Sequence, residues 1–323
     1  MNTRKLLLAA ALICLVSLPA AAQLTDTYVI AAAANVGGSN NTRWLTQLSI
    51  FNPHLDYSLN VSVTLLRTGG AQGPEKLVSV PPNSTFITDD VIGDVFGLSS
   101  GSGALLLGTF PDDNPGIEDS VLARGFLVTS NTYNNSSSGT YGQTIPGVWT
   151  GLLDIDSDGI SSVAHGIDNS ARLRFRTNVG AVNLGRCSVN VGVSVFDADG
   201  NTILDNAPLF VPPFGHIQDR LPIAVEGGSV EFTVQDPCAD DDARYAVVFP
   251  YTSTIDDLSG DPRYQTPTLL ATPNILFAKK ANVDPTNLGT KITSAYGRKV
   301  RDAAMREGRV TLTRSERGWQ VAK

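Results

Sequence analysis

Between Val61 and Leu65 apolar residues alternate with Ser62 and Thr64, and further on Val189, Val191, Val193 and Val195 alternate with Asn190, Gly192 and Ser194. A period of two puts one side of each segment into a core and predicts β-strands. Turn signals follow both runs, Thr68-Gly69-Gly70 after the first and Asp197 to Asn201 after the second, where hairpin connections belong. Short alternating runs separated by Gly, Pro and Asn clusters continue on both sides and predict β-sandwiches. From Asp89 to Leu98 the period changes. Asp89 can cap there, and Val91, Ile92, Val95 and Phe96 share one helical face, so a short helix is expected across an end of the first sandwich.

The two halves also match each other. Trp44-Leu45-Thr46-Gln47-Leu48-Ser49-Ile50-Phe51-Asn52 lies over Phe175-Arg176-Thr177-Asn178-Val179-Gly180-Ala181-Val182-Asn183 at an offset of 131, and Val80-Pro81-Pro82 falls on Val211-Pro212-Pro213 at the same offset. Gly103 with its apolar run answers Gly228, Thr129-Ser130 answers Thr252-Ser253, and Tyr141 to Pro146 answers Tyr264 to Pro267. Matches in one order at a spacing of about 120 residues describe a duplicated domain rather than a solenoid of short repeats. The Asn-terminated strand, the Pro-Pro turn and the closing segment resemble the tandem immunoglobulin-like modules of exported bacterial proteins. The resemblance covers about residues 28 to 270; it implies an extracytoplasmic sandwich and carries no activity with it.

The N-terminus fits such a compartment. Arg4 and Lys5 precede an apolar run from Leu6 to Leu18, and Ala20-Ala21-Ala22 follow, which is the plan of a secretory signal peptide cut after Ala22. The run is too short for a bilayer-spanning helix, and no other segment is apolar for long enough to cross a membrane. Cys14 falls inside it, leaving Cys187 and Cys238 in a chain bound for an oxidising space, where they are expected to pair. The alternative is two unpaired cysteines, reduced before export or lying too far apart to meet.

Charge is uneven. The whole chain carries 24 Lys and Arg against 31 Asp and Glu, yet Lys279–Lys323 holds 11 basic residues against 4 acidic ones. An acidic body lacks the clustered basic face that phosphate recognition needs, so no nucleic-acid partner is expected. In the tail, Leu288, Ile292, Ala295, Tyr296 and Ala303 recur at helical spacing among Lys and Arg, and Val310 to Leu312 with Trp319 to Val321 reads as a small hairpin. That basic helix either touches an anionic surface or is simply a solvated face. The boundaries expected are a signal peptide over 1–22, a first sandwich over 23–148, an acidic linker over 149–170, a second sandwich over 171–278 and the tail over 279–323.

Candidate chemistry is sparse. Asp154, Asp156 and Asp158 stand at alternate positions ahead of Gly159, a spacing at which three carboxylates can converge on one Ca²⁺. His165 occupies the place where an EF-hand loop needs its bidentate Glu, and an acidic linker without metal accounts for the same residues. His54, His165 and His216 form no metal-ligand spacing, and there is no Gly-x-Ser-x-Gly elbow, phosphate loop or dinucleotide fingerprint. Asp256, Asp257 and Asp261, near Tyr251 and Arg263, are the nearest approach to a carboxylate pair for sugar cleavage, and a polar turn explains them as well. No cofactor and no catalytic residue are expected. The sequence therefore points to a non-enzymatic exported protein that binds or spaces a surface polymer or another protein. Its polar contacts would come from loops at Asn35 to Asn41, Asn131 to Ser138 and Asp256 to Asp261. An anchoring subunit acting through its tail and a carbohydrate-active enzyme are the alternatives.

Overall fold

The computed structural model describes residues 24–38, 42–70, 72–136, 139–150, 160–185, 187–236, 248–271, 312–315 and 318–321. The chain is nearly all β. Its first half forms β1 (Thr27–Gly37), β2 (Arg43–Asn52), β3 (Leu59–Arg67), β4 (Gln72–Val80), β5 (Ser84–Thr88), β6 (Gly101–Gly108), β7 (Leu127–Ser136), β8 (Gly139–Pro146) and β9 (Val148–Trp149). The second half forms β10 (Ile160–Asn169), β11 (Phe175–Asn183), β12 (Val189–Phe196), β13 (Thr202–Val211), β14 (Gly215–Arg220), β15 (Val225–Asp236), β16 (Val248–Asp256), β17 (Pro262–Gln265) and β18 (Thr268–Ala271).

The first nine strands run β4-β3-β6-β1-β9 and β5-β2-β7-β8, bridged where the end of β1 also meets β2. The second nine run β13-β12-β15-β10-β18 and β14-β11-β16-β17, the same order strand for strand. All pairings between these strands are antiparallel, and an isolated parallel bridge joins Thr68 to His216. Within each unit the inward residues of one layer pack on those of the other: Val61, Val63, Leu65, Leu105 and Leu107 with Leu48, Ile50 and Val128, then Val191, Val193, Val195 and Phe232 with Val179, Ala181 and Val248. Alternation along β3 and β12 delivers these side chains to one face.

One device recurs in both units. Asn52 ends β2, accepts from the His54 N–H, and donates to the carbonyls of Val80 and Pro81 at 3.0 and 3.1 Å. Asn183 ends β11, accepts from the Gly185 N–H, and donates to Val211 and Pro212 at 3.3 and 3.1 Å. Each amide thereby satisfies carbonyls at a Pro-Pro turn, where proline supplies no N–H of its own. The residue after each Pro pair has positive φ, 45° at Asn83 and 44° at Phe214, and its N–H donates to His54 or Gly185. Asn tolerates that conformation; a bulky Phe is strained in it.

Several sequence expectations change. The linker expected over 149–170 is shorter, because Ile160–Asn169 is a full strand paired with β15 and β18; its Ser, Gly, His and Asn content hid it. In place of the helix expected from Asp89, a single π-helical turn spans Val91–Val95, and Asp90 is the cap, accepting from the Gly93 N–H. Asparagine-rich segments taken as loops belong partly to strands: Asn35 to Gly37 closes β1 and Asn131 to Ser136 lies in β7. Finally, Leu48 faces Ser130 while Val179 faces Thr252, so the match of Thr129-Ser130 to Thr252-Ser253 is one residue out of register. A one-residue slip exchanges core and outward faces.

Among the described residues no helix is long and apolar enough to cross a membrane. The terminal hairpin is present as β19 (Leu312–Ser315) paired with β20 (Gly318–Val321). The signal peptide and the basic helix lie outside the described residues.

Candidate functional site

Several strands break the one-sided pattern, two of them over most of their length. β16 is buried from Val248 to Ile255 and β3 from Val61 to Leu66, on both faces. The second cover is the other unit. Val29, Ala31, Leu66 and Ala104 on the outer face of β1, β3 and β6 pack against Val182, Phe249 and Tyr251 on the outer face of β11 and β16, with Phe214 and Tyr264 at the margin. Small residues on the first face let the sheets approach closely, and Gly180 makes room for the Tyr251 ring, which a Cβ there would meet at 2.3 Å.

A polar chain crosses this apolar seam. The β3–β4 turn of the first unit reaches onto β14: the Gly69 N–H donates to the His216 carbonyl at 3.0 Å, and Thr68 Oγ1 lies 2.8 Å from His216 Nδ1. On the other side of the ring, His216 Nε2 lies 2.7 Å from the Tyr251 hydroxyl, which donates to Gln218 Oε1 at 2.8 Å. Each hydroxyl has one proton, and the geometry assigns them all. Tyr251 has given its own to Gln218, so it accepts from Nε2–H. Nδ1 is then the acceptor of the Thr68 hydroxyl proton, and Thr68 in turn accepts from Ser102 Oγ, 3.0 Å away. The chain reads Ser102 to Thr68 to His216 to Tyr251 to Gln218. It holds the imidazole neutral, and burial with no facing carboxylate pushes its pKa down to about 3. Burial likewise raises the hydroxyl pKa of Tyr251, which stacks between His216 and Tyr264.

Beside this chain the seam opens into a cleft of about 290 Å³. Ala32 to Ala34 of β1 and Ile255 form its apolar part, while Trp44, Thr132, Gln143, Asn178, Gln218 and Ser253 bring polar groups to it. Gln143 of the first unit meets Ser253 of the second at 3.1 Å across the opening. Arg176 stands at the edge, its guanidinium paired with Asp257.

No family model and no curated protein matches the chain. Among solved structures it is similar to a calcium binding mutant of Bacteroides uniformis beta-glucuronidase 2, at 10% identity and a TM-score of 0.14, over 72% of this chain and 28% of that one. A superposition that loose bears on neither fold nor activity.

The residues singled out in the sequence are not the ones brought together here. Asp154, Asp156, Asp158 and Cys238 lie outside the described residues; Cys187 is half-buried against the second core, its carbonyl accepting from Asn183. Asp256 accepts from the Leu258 N–H and from Ser259 Oγ, a turn that holds its carboxyl below the usual range. Asp257 pairs with Arg176, and Arg263 donates to the Gly166 carbonyl, so this group is a braced turn. His54 lies between Tyr57 and the Gly125 carbonyl at the far end of the first unit. Sequence reasoning passed over His216, Tyr251 and Gln218 as a group. The signal that could have found them is the run from Val247 to Ile255, too long and too apolar for a strand with one wet face.

Proposed function

We propose that this chain is an exported, non-enzymatic binding protein in which two immunoglobulin-like sandwiches, the products of one duplication, are clamped into a single body. The signal peptide is removed after Ala22, and a Cys187–Cys238 disulfide braces the second unit. One observation carries the reading: a hydrogen-bond chain from Ser102 to Gln218, centred on the buried His216, joins the two units. His216, the natural candidate for a base, has both ring nitrogens committed to the neighbouring unit's Thr68 and to Tyr251, and its depressed pKa leaves it a poor proton acceptor at neutral pH. It fastens the two units. The matching strand order and the twin Asn52 and Asn183 devices support the duplication, and the short, apolar-floored cleft supports binding.

The test is to insert a protease site between Asp154 and Ile155, recover the chain from the extracytoplasmic fraction, cut it, and run the product on gel filtration. Halves that co-elute, with an N-terminus at Gln23, support the clamped exported body. Halves that separate, or a chain that stays in the cytoplasm with its leader intact, overturn it.

A further inference from the structure

We propose that the cleft at the seam is a binding site for one ring of a neutral saccharide. This rests on the reading of the chain as a clamped binding protein. The volume, 290 Å³, is at the small end for ligand sites and amounts to roughly ten waters at about 30 Å³ each, enough for one substituted ring but not for an extended chain.

The lining selects the chemistry. Among the described residues no carboxylate lines the cleft, so a metal cation or an amine has no counter-charge there. Among the described residues the cation at its edge, Arg176, is paired with Asp257, and they offer a phosphate no cradle of N–H groups or unpaired cations. What remains is a set of neutral groups that both donate and accept. Asn178 offers a whole amide fork and Gln218 its amide nitrogen, while Gln143 and Ser253, bonded to each other, and Thr132, bonded to Thr46, keep spare lone pairs or protons, which suits a ring whose own hydroxyls donate and accept in turn. Gln218 has its oxygen taken by Tyr251, while its amide nitrogen, the whole Asn178 side-chain amide and the Trp44 indole N–H find no partner among the described residues. The Trp44 ring supplies an apolar face for the C–H side of a sugar, as aromatic walls do in small-molecule sites.

Both units contribute. Trp44, Thr132 and Gln143 come from the first and Asn178, Gln218 and Ser253 from the second, so the site exists only while the seam is closed.

The experiment screens the full mature chain against an array of neutral hexose and N-acetylhexosamine oligosaccharides together with their uronic-acid-bearing counterparts. Any hit is then titrated by isothermal calorimetry. The expected result is retention of at least one neutral glycan, weakened tenfold or more in both Trp44→Ala and Asn178→Ala while their melting temperatures stay at the parent value. Asn178→Ser serves if Asn178→Ala folds poorly. No neutral glycan bound, binding confined to acidic glycans, or hits indifferent to these substitutions would each overturn the proposal. Co-eluting halves with no glycan bound sink the ligand alone; halves that part after cutting sink the joint beneath it.

Discussion

Burying a histidine with no carboxylate beside it ties the stability of the fold to the pH of the solution. The groups that face His216 are Thr68, Tyr251 and Gln218, all uncharged, and its folded pKa is pushed from the ordinary 6.5 down to about 3. Above pH 6.5 both folded and unfolded chains carry it neutral, and it adds no pH dependence. Between 6.5 and 3 the unfolded chain takes up a proton that the folded chain refuses, so stability is lost as the pH is lowered, by up to about 1.4 kcal/mol per unit. Urea unfolding of the parent and of His216→Asn at pH 8 and pH 4.5 checks this. The carboxylates respond in both proteins, and the parent should lose more; parallel losses would show that the ring is not held neutral by the seam. Asn183 makes the complementary point about uncharged groups. Asn183→Ala strands the Val211, Pro212 and Cys187 carbonyls and the Gly185 N–H in a nearly dry place, and should cost about 2 kcal/mol in a urea midpoint measurement.

Between elements, the spacing of strands is set by two glycines at equivalent places. A Cβ on Gly103 would sit 2.1 Å from the Leu66 carbonyl, and one on Gly228 would sit 2.2 Å from that of Phe196. Backbone cannot step aside as a flexible side chain can, so Gly228→Ala should destabilise by about 1 to 3 kcal/mol, whereas Gly37→Ala, with nothing within 4 Å, should stay within about 0.5 kcal/mol of the parent. Equal effects in thermal melts would contradict the close approach. Elements of this kind were readable in the sequence where one face is wet: β12 alternates Val with Asn, Gly and Ser, and the Pro-Pro turns announce themselves. β10 was lost in the acidic linker because its buried Ser161 and Ser162 look like loop residues, and the end of β7 was lost because asparagine seldom extends a strand. The π-helical turn showed its apolar face clearly, while its cap shifted from Asp89 to Asp90. Periodicity fixes a face well and an end poorly.

Across the whole molecule the seam was invisible in the sequence, because a residue there answers to a partner sheet about 100 residues or more away and not to its own strand's period. The interface predicts coupled unfolding. The parent should melt in one transition, and Gly180→Val, which drives a side chain into the Tyr251 ring, should split the melt into two by calorimetry. A single sharp transition in that variant would mean the units do not depend on Tyr251 for their union. The joint also pairs unlike faces, β1-β3-β6 of one unit with β11-β16 of the next. A contact of that kind has no twofold axis to close it, and a third copy could in geometry be added at either end. The bare equivalents of the joined faces carry different residues. By register, Glu231 stands where the first unit has Leu106, Ser229 where it has Ala104, Thr129 where the second has Tyr251, and Ser49 where it has Gly180. The change is partial, because Val163, Phe196, Phe51 and Leu127 stay apolar where the joined faces have Val29, Leu66, Val182 and Phe249, so the free faces are less apolar than the joined ones and make poorer seats for a further copy.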